Sequence, residues 1–176
     1  WERYAFGGDA AWLRATGYPL MKGAAEFAMD WLVEGPDGFL VTAPSTSPEN
    51  AFITPDGYTG VVSVMTTSDL ALIRGLFLNV IQASETLGVD AGFRAAVKAK
   101  LDRLPPYKVG SRGQLQEWYH DWDDQDPAHR HVSHLIGLFP DDQINPIDTP
   151  ALAAAVKRSL ELRGDGGTGW AKAWKI

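Results

Sequence analysis

The segment Thr42-Ala43-Pro44-Ser45-Thr46-Ser47-Pro48-Glu49-Asn50 places one carboxylate, Glu49, which could act as an acid or base, in a loop held by two prolines. Pro44 and Pro48 fix their own φ and push the residue before each of them out of the helical region, which favours an extended loop. Ser45, Thr46, Ser47 and Asn50 surround the acid with short hydrogen-bonding groups. Such a segment makes a poor core but can present an acid at the mouth of a cleft, and loops carry function more often than the elements they join. A plainer role is open as well: Pro48-Glu49-Asn50 can begin a turn in which the glutamate caps the next few residues.

Three further blocks carry reactive side chains. His129-Arg130-His131-Val132-Ser133-His134 places three histidines within six residues. Imidazole is a common metal ligand, but neither HExxH spacing nor a cysteine accompanies these, and Arg130 would repel a cation, so no metal is expected. A neutral imidazole donates from one nitrogen and accepts at the other, which suits a hydroxyl-rich ligand. The alternative is that the histidines bond backbone carbonyls and fix their loop.

The block Gln114-Leu115-Gln116-Glu117-Trp118-Tyr119-His120-Asp121-Trp122-Asp123-Asp124 interleaves aromatics with acids. That mixture is common where rings stack on sugar faces and carboxylates hold hydroxyls. Glu117 and Trp118 are the candidates for a subsite wall, whereas Asp123, Asp124 and Asp126 read as a solvated turn. Gly164-Asp165-Gly166-Gly167-Thr168-Gly169 lacks the lysine of a phosphate loop and follows a helix instead of a strand; Asp165 is read as a turn residue.

Helical periodicity supplies the elements that position these blocks. Leu20, Ala24, Phe27 and Trp31 fall on one face and predict an amphipathic helix stopped by Gly35-Pro36-Asp37-Gly38. Leu70, Ile73, Phe77, Val80, Ser84 and Leu87 predict the longest helix, with Thr67 or Ser68 as caps and Gly88 as terminator. A third begins at Asp90, places Phe93, Val97, Leu101 and Leu104 on one face, and ends at Pro105-Pro106. A fourth starts with Thr149 as cap and Pro150 at the first helical position, and Gly164 follows it. Extended segments are expected only at 38–41 and 108–115. The reading is an all-α chain whose long loops carry the site.

Composition excludes several classes. Hydrophobic residues make up 45% and charged residues 22%, the balance of a folded chain. A net charge of −6 provides no broad basic face, so neither nucleic acid nor anionic membrane is an expected partner. Cysteine is absent, which removes disulfides and thiol nucleophiles and leaves the compartment undecided. No run of about 18 apolar residues occurs, so no membrane span is expected. Neither end has the look of a domain boundary, and the chain is expected to be a fragment truncated at both.

Four blocks besides the Glu49 loop carry a resemblance: Tyr18-Pro19-Leu20-Met21-Lys22-Gly23, Gly113-Gln114-Leu115-Gln116-Glu117-Trp118, His129-Arg130-His131-Val132-Ser133-His134-Leu135, and Arg163-Gly164-Asp165-Gly166-Gly167-Thr168-Gly169-Trp170. In type and order they resemble glycoside hydrolase family 95, the inverting α-L-fucosidases. The resemblance implies that residues 1–176 form about half of a single (α/α)6 barrel. It implies that Glu49 is the general acid and that the block holding His129 and His131 faces the sugar, with His131 the leading hydroxyl contact. It also implies a base outside this chain, because the family's aspartate and paired asparagines occur in motifs not found here. The implied substrate is a fucosylated oligosaccharide or glycan with terminal, α-1,2-linked fucose, hydrolysed without a cofactor, in a secreted or periplasmic setting. Competing readings are an α-L-galactosidase of the same family, a non-catalytic carbohydrate-binding or scaffold protein, and another (α/α)6 enzyme such as a phosphorylase or lyase.

Overall fold

The computed structural model describes all 176 residues. Along the chain, α1 (Glu2–Gly7), α2 (Ala10–Trp12) and α3 (Tyr18–Trp31) are followed by four two-residue strands, β1 (Val33–Glu34), β2 (Leu40–Val41), β3 (Phe52–Ile53) and β4 (Thr59–Gly60). Then come α4 (Thr67–Leu87), α5 (Ala91–Leu101), β5 (Asp123–Asp124), α6 (Pro150–Arg163) and α7 (Gly169–Trp174). The protein is therefore mainly helical with a few minimal strands, which is compatible with the expected all-α class. Two units result. One comprises Trp1–Val41 and Ile73–Pro105, the other Thr42–Leu72 and Pro106–Ile176.

In the first unit the apolar stripe of α4 does what its spacing predicts. Ile73, Phe77, Val80, Ser84 and Leu87 are all buried, and Gly88 leaves the helix in the left-handed conformation that a residue without Cβ adopts freely. At 21 residues and a mean hydropathy of 1.2, α4 is long and apolar enough to cross a membrane by length and composition alone. One face of it nevertheless serves as core, with Phe77, Val80 and Ala83 fully inside, while Leu72 and Leu78 on the other face are exposed. The turn between α4 and α5 is tied to the α3 region: Arg14 donates to the Leu87 carbonyl at 2.8 Å, and Tyr18 and Lys22 reach Asp90 at 3.0 and 2.7 Å.

α3 forms where expected but packs through a different face. Tyr18, Ala25 and Ala28 are buried, while Leu20 and Phe27 are 69% and 66% exposed. Small alanines allow close helix approach, so within this chain the packing contact falls on them and the large apolar residues of the predicted stripe remain outside.

The second unit carries the candidate site. A three-stranded antiparallel sheet in the order β4-β3-β5 sets Phe52 opposite both Gly60 and Asp124. Its core gathers Leu115, Leu135, Ile144, Ala155 and Val156, with Tyr107 and Leu160 packed against them. The segment 108–115 is a tight loop closed by one bridge between Val109 and Leu115, not the extended run expected. α6 begins at Pro150 after Thr149 as predicted, but the Thr149 hydroxyl bonds Asn145 instead of capping the helix. Phe77→Ala is expected to destabilise the protein by ~3–5 kcal/mol in chemical denaturation, the usual cost of emptying a large buried site. A loss below about 1 kcal/mol would show that this face of α4 is not core.

Candidate active site

The short polar residues around Glu49 turn inward and anchor the loop. Thr42 and Ser45 donate to Asp69 Oδ2 at 2.8 and 2.7 Å, and Ser45 pairs through its backbone with Ser63. Ser47 Oγ donates to Glu117 Oε1 at 2.6 Å. Asn50 Nδ2 lies 3.3 and 3.4 Å from the two Glu117 oxygens and 3.3 Å from Asp124 Oδ1. All four anchoring residues, Thr42, Ser45, Ser47 and Asn50, are buried. Between them the chain makes a tight turn, closed by Asn50 N to the Ser47 carbonyl at 3.1 Å, with Glu49 at φ 59°. That left-handed φ is uncommon for a residue with a Cβ and persists where the flanks dictate it. The loop is thus a turn, as the plainer role requires, and it carries its acid on the outside.

Glu49 itself points outward, with a side chain 57% exposed. Its Oε2 pairs with Arg130 Nη2 and lies 3.4 Å from His131 Nε2. His131 Nδ1 is 3.1 Å from the Pro48 carbonyl, which can only accept, so Nδ1 is the nitrogen that donates there and Nε2 is the one that faces Glu49. The His131 ring also leans on Trp170 at 5.3 Å between centroids. His129 is buried and its Nδ1 accepts from the His131 backbone amide at 3.1 Å. Burial, together with the nearby cationic side chains, keeps the His129 imidazole below its ordinary value. The structure therefore brings Glu49, Arg130 and His131 together, with His129 behind them.

Glu117 and Trp118 lie beneath this surface. Trp118 is fully buried and meets Phe52 edge-on at 5.1 Å. The Glu117 carboxylate accepts from Arg163 Nη2 at 2.5 Å, with the two side chains only 7% and 3% exposed. Arg163 Nη1 also lies 3.4 Å from the backbone carbonyls of Asp126 and Pro127 and 3.4 Å from Asp124 Oδ2. Burial alone would push Glu117 up; the charges of His134 and Arg163 and the hydrogen bonds of Ser47 and Asn50 outweigh it and hold the acid at about 2. Burial lowers His134 to about 4, so near neutral pH Arg163 is the cation that remains. Asp124 is driven up to about 6 by burial and by the neighbouring Glu117 charge, against Arg163 and Arg112.

Sequence reasoning missed Asp124 and Arg163. The expectation of a solvated Asp124 is corrected: β5 holds it beside Asn50 and Arg163, while Asp123 on the same strand stays exposed. Arg163 follows Val156 and Ser159 on the buried face of α6, and that continuation of the inward stripe is the signal that could have found it. Asp165 is a surface residue paired with Lys172 at 2.6 Å. A polar cavity of about 20 Å³ beside Glu117, Gln116, His134 and Arg163 has the volume of one water molecule. A second, apolar cavity of about 450 Å³ is walled by Leu135, Phe139, Trp170 and Trp174, with Pro48, Arg130 and His131 also on its lining.

A family model described as the glycosyl hydrolase family 95 catalytic domain matches residues 1–176, which places the chain among the glycosyl hydrolases. The chain belongs to family 95 of that class. It is 43% identical over 176 residues to "Alpha-L-fucosidase 2" of Arabidopsis thaliana, a match covering 99% of this chain and 21% of that protein. It is 37% identical over 187 residues to "Probable alpha-fucosidase A" of Aspergillus niger, covering 99% of this chain and 23% of that protein. The corresponding protein of Aspergillus oryzae is 32% identical over 154 residues, covering 80% of this chain and 20% of its own length. The chain thus spans about a fifth of the length of the curated relatives it matches.

The shifted groups set a pH dependence. His134 lies below its ordinary 6.5, so between pH 6.5 and about 4 the unfolded chain binds more protons and stability falls as pH falls. Asp124 lies above its ordinary 3.8, so between about 6 and 3.8 the folded protein binds more protons and stability rises as pH falls. The two oppose each other in one window. The Glu117 contribution is present above 4.5 and is lost as pH falls toward about 2. Asp124→Asn removes the opposing contribution, so stability should fall more steeply from pH 6.5 to 4 than in the parent, read as denaturant midpoints. Parallel slopes would show that Asp124 does not titrate in this window.

Proposed function

We propose that this chain is part of the (α/α)6 catalytic domain of an inverting α-L-fucosidase acting on terminal α-1,2-linked fucose of oligosaccharides and glycans, with Glu49 as general acid. One observation carries the reading: an anchored turn offers Glu49 outward, at 3.4 Å from His131 Nε2, while its flanking side chains are held inside. The names of the relatives, alpha-L-fucosidase and probable alpha-fucosidase, support the substrate class.

In this reading the glycosidic oxygen takes the place of Arg130 on Oε2 of a protonated Glu49 and receives its proton as the bond to the anomeric carbon breaks. A base from outside this chain draws a proton from water, which attacks the opposite face in the same displacement. His131, with Nε2 toward the site, contacts a sugar hydroxyl, and His129 fixes the loop that carries it. Glu117 and Trp118, named from sequence as subsite wall, act from below the surface. An α-L-galactoside differs from the fucoside by one added hydroxyl, which a pocket rejects only weakly unless built to do so.

Exposed Leu20, Phe27 and Leu78 and the apolar cavity continuous with Leu135 and Leu160 support a barrel in which further helices cover these faces. Such surfaces promote association when bare. The isolated 176-residue chain should therefore be inactive and sediment as larger species, whereas an active monomer would contradict the partial barrel.

The direct test uses the full-length protein carrying this segment and release of fucose from 2′-fucosyllactose. Glu49→Gln should lower kcat by about 10²–10⁴, the usual worth of a positioned proton donor. Activity within a few-fold of the parent would remove Glu49 from the acid role.

A further inference from the structure

We infer that the buried pair Glu117/Arg163 is a positioning device that fixes the acid loop and the histidine loop in one geometry, so that both belong to the catalytic apparatus without touching substrate. The inference rests on the reading of Glu49 as general acid. Glu117 holds the residues on either side of that acid, Ser47 two positions before it and Asn50 one position after it. Arg163 holds the other loop at its root, through the carbonyls of Asp126 and Pro127, just ahead of His129, Arg130 and His131. The 2.5 Å contact between Glu117 and Arg163 joins the two anchors.

The sequence separations make this arrangement informative. Ser47 and Glu117 lie 70 residues apart, and Glu117 and Arg163 lie 46 apart. No local turn could therefore set the Glu49 carboxylate within reach of the His131 ring. A planar guanidinium suits the task, because its fork can engage a carboxylate and backbone carbonyls together, which an ammonium cannot do with one fixed orientation. The carboxylate is equally occupied: Ser47 and Asn50 on one side, Arg163 on the other, and His134 Nδ1 at 3.4 Å. A group so enclosed has no free face for a sugar hydroxyl, which separates holding the loop from binding the ligand.

A misplaced proton donor leaves a particular kinetic trace. Substrates with a basic leaving oxygen need the proton, whereas a dinitrophenolate departs without it. In the full-length protein, Ser47→Ala cuts one link to Glu117 and leaves the ion pair intact, and Asn50→Ala cuts the other. Each should lower kcat on 2′-fucosyllactose by about tenfold or more, a fraction of the roughly 10²–10⁴ that proton donation supplies, with KM little changed. Each should leave hydrolysis of 2,4-dinitrophenyl α-L-fucoside within about twofold, the same split shown more strongly by Glu49→Gln. An equal loss on both substrates, or no loss on either, would overturn the positioning role. If Glu49→Gln itself shows no split, the acid reading falls and takes this inference with it. If Glu49→Gln splits the two substrates and neither loop variant does, only the positioning role is lost.

Discussion

Taking Glu117 and Arg163 out of water costs several kcal/mol per ion, and their attraction offsets this only when the remaining donors and acceptors are met. Here the surroundings meet most of them. Ser47 and Asn50 complete the carboxylate, and the carbonyls of Asp126 and Pro127 take up the guanidinium. Those partners come from the two loops that carry Glu49 and His131. The requirement to satisfy a buried ion pair and the requirement to place an acid beside an imidazole are thus met by one set of hydrogen bonds. A well-packed apolar pair of the same size could be as stable, but it would leave both loops untied.

The same enclosure shapes the electrostatics. Three ionisable groups, Glu117, Asp124 and His134, lie around one guanidinium, and burial disfavours charge on each. One cation stabilises one carboxylate well. Glu117 takes the close contact and stays ionised, and Asp124, at 3.4 Å and beside that negative charge, is pushed toward its protonated form. His134 stays neutral because burial disfavours its cation and Arg163 already supplies the positive charge. Glu49 stands outside this enclosure, facing solvent and paired with Arg130.

Much of the helical frame was legible in the sequence. The stripe from Leu70 to Leu87 and the start of α6 at Pro150 follow from periodicity and from proline chemistry, which act over a few residues. The packing face of α3 was not legible, because periodicity groups Leu20 with Phe27 while contact within this chain falls on Ala25 and Ala28. Glu49 stood out through its loop, yet the roles of Ser47 and Asn50 did not, since their partner lies about 70 residues away in the chain. Asp124 was hidden for the same reason: its neighbours on β5 look like a wet acidic turn, and only pairing with Phe52 on β3 turns it inward. Long-range polar contacts leave little trace in one sequence, because each partner alone reads as an ordinary surface residue.

Amide hydrogen exchange on the full-length protein and its Arg163→Lys variant tests most directly whether one ion pair governs both loops. Lysine keeps the charge beside Glu117 but lacks the fork needed to hold the Asp126 and Pro127 carbonyls as well. If the pair ties the loops together, residues 45–50 and 126–131 lose protection in concert while α4 and α6 keep theirs. If only one of those segments loosens, or neither does, the two loops are held independently and the pair is not their common anchor.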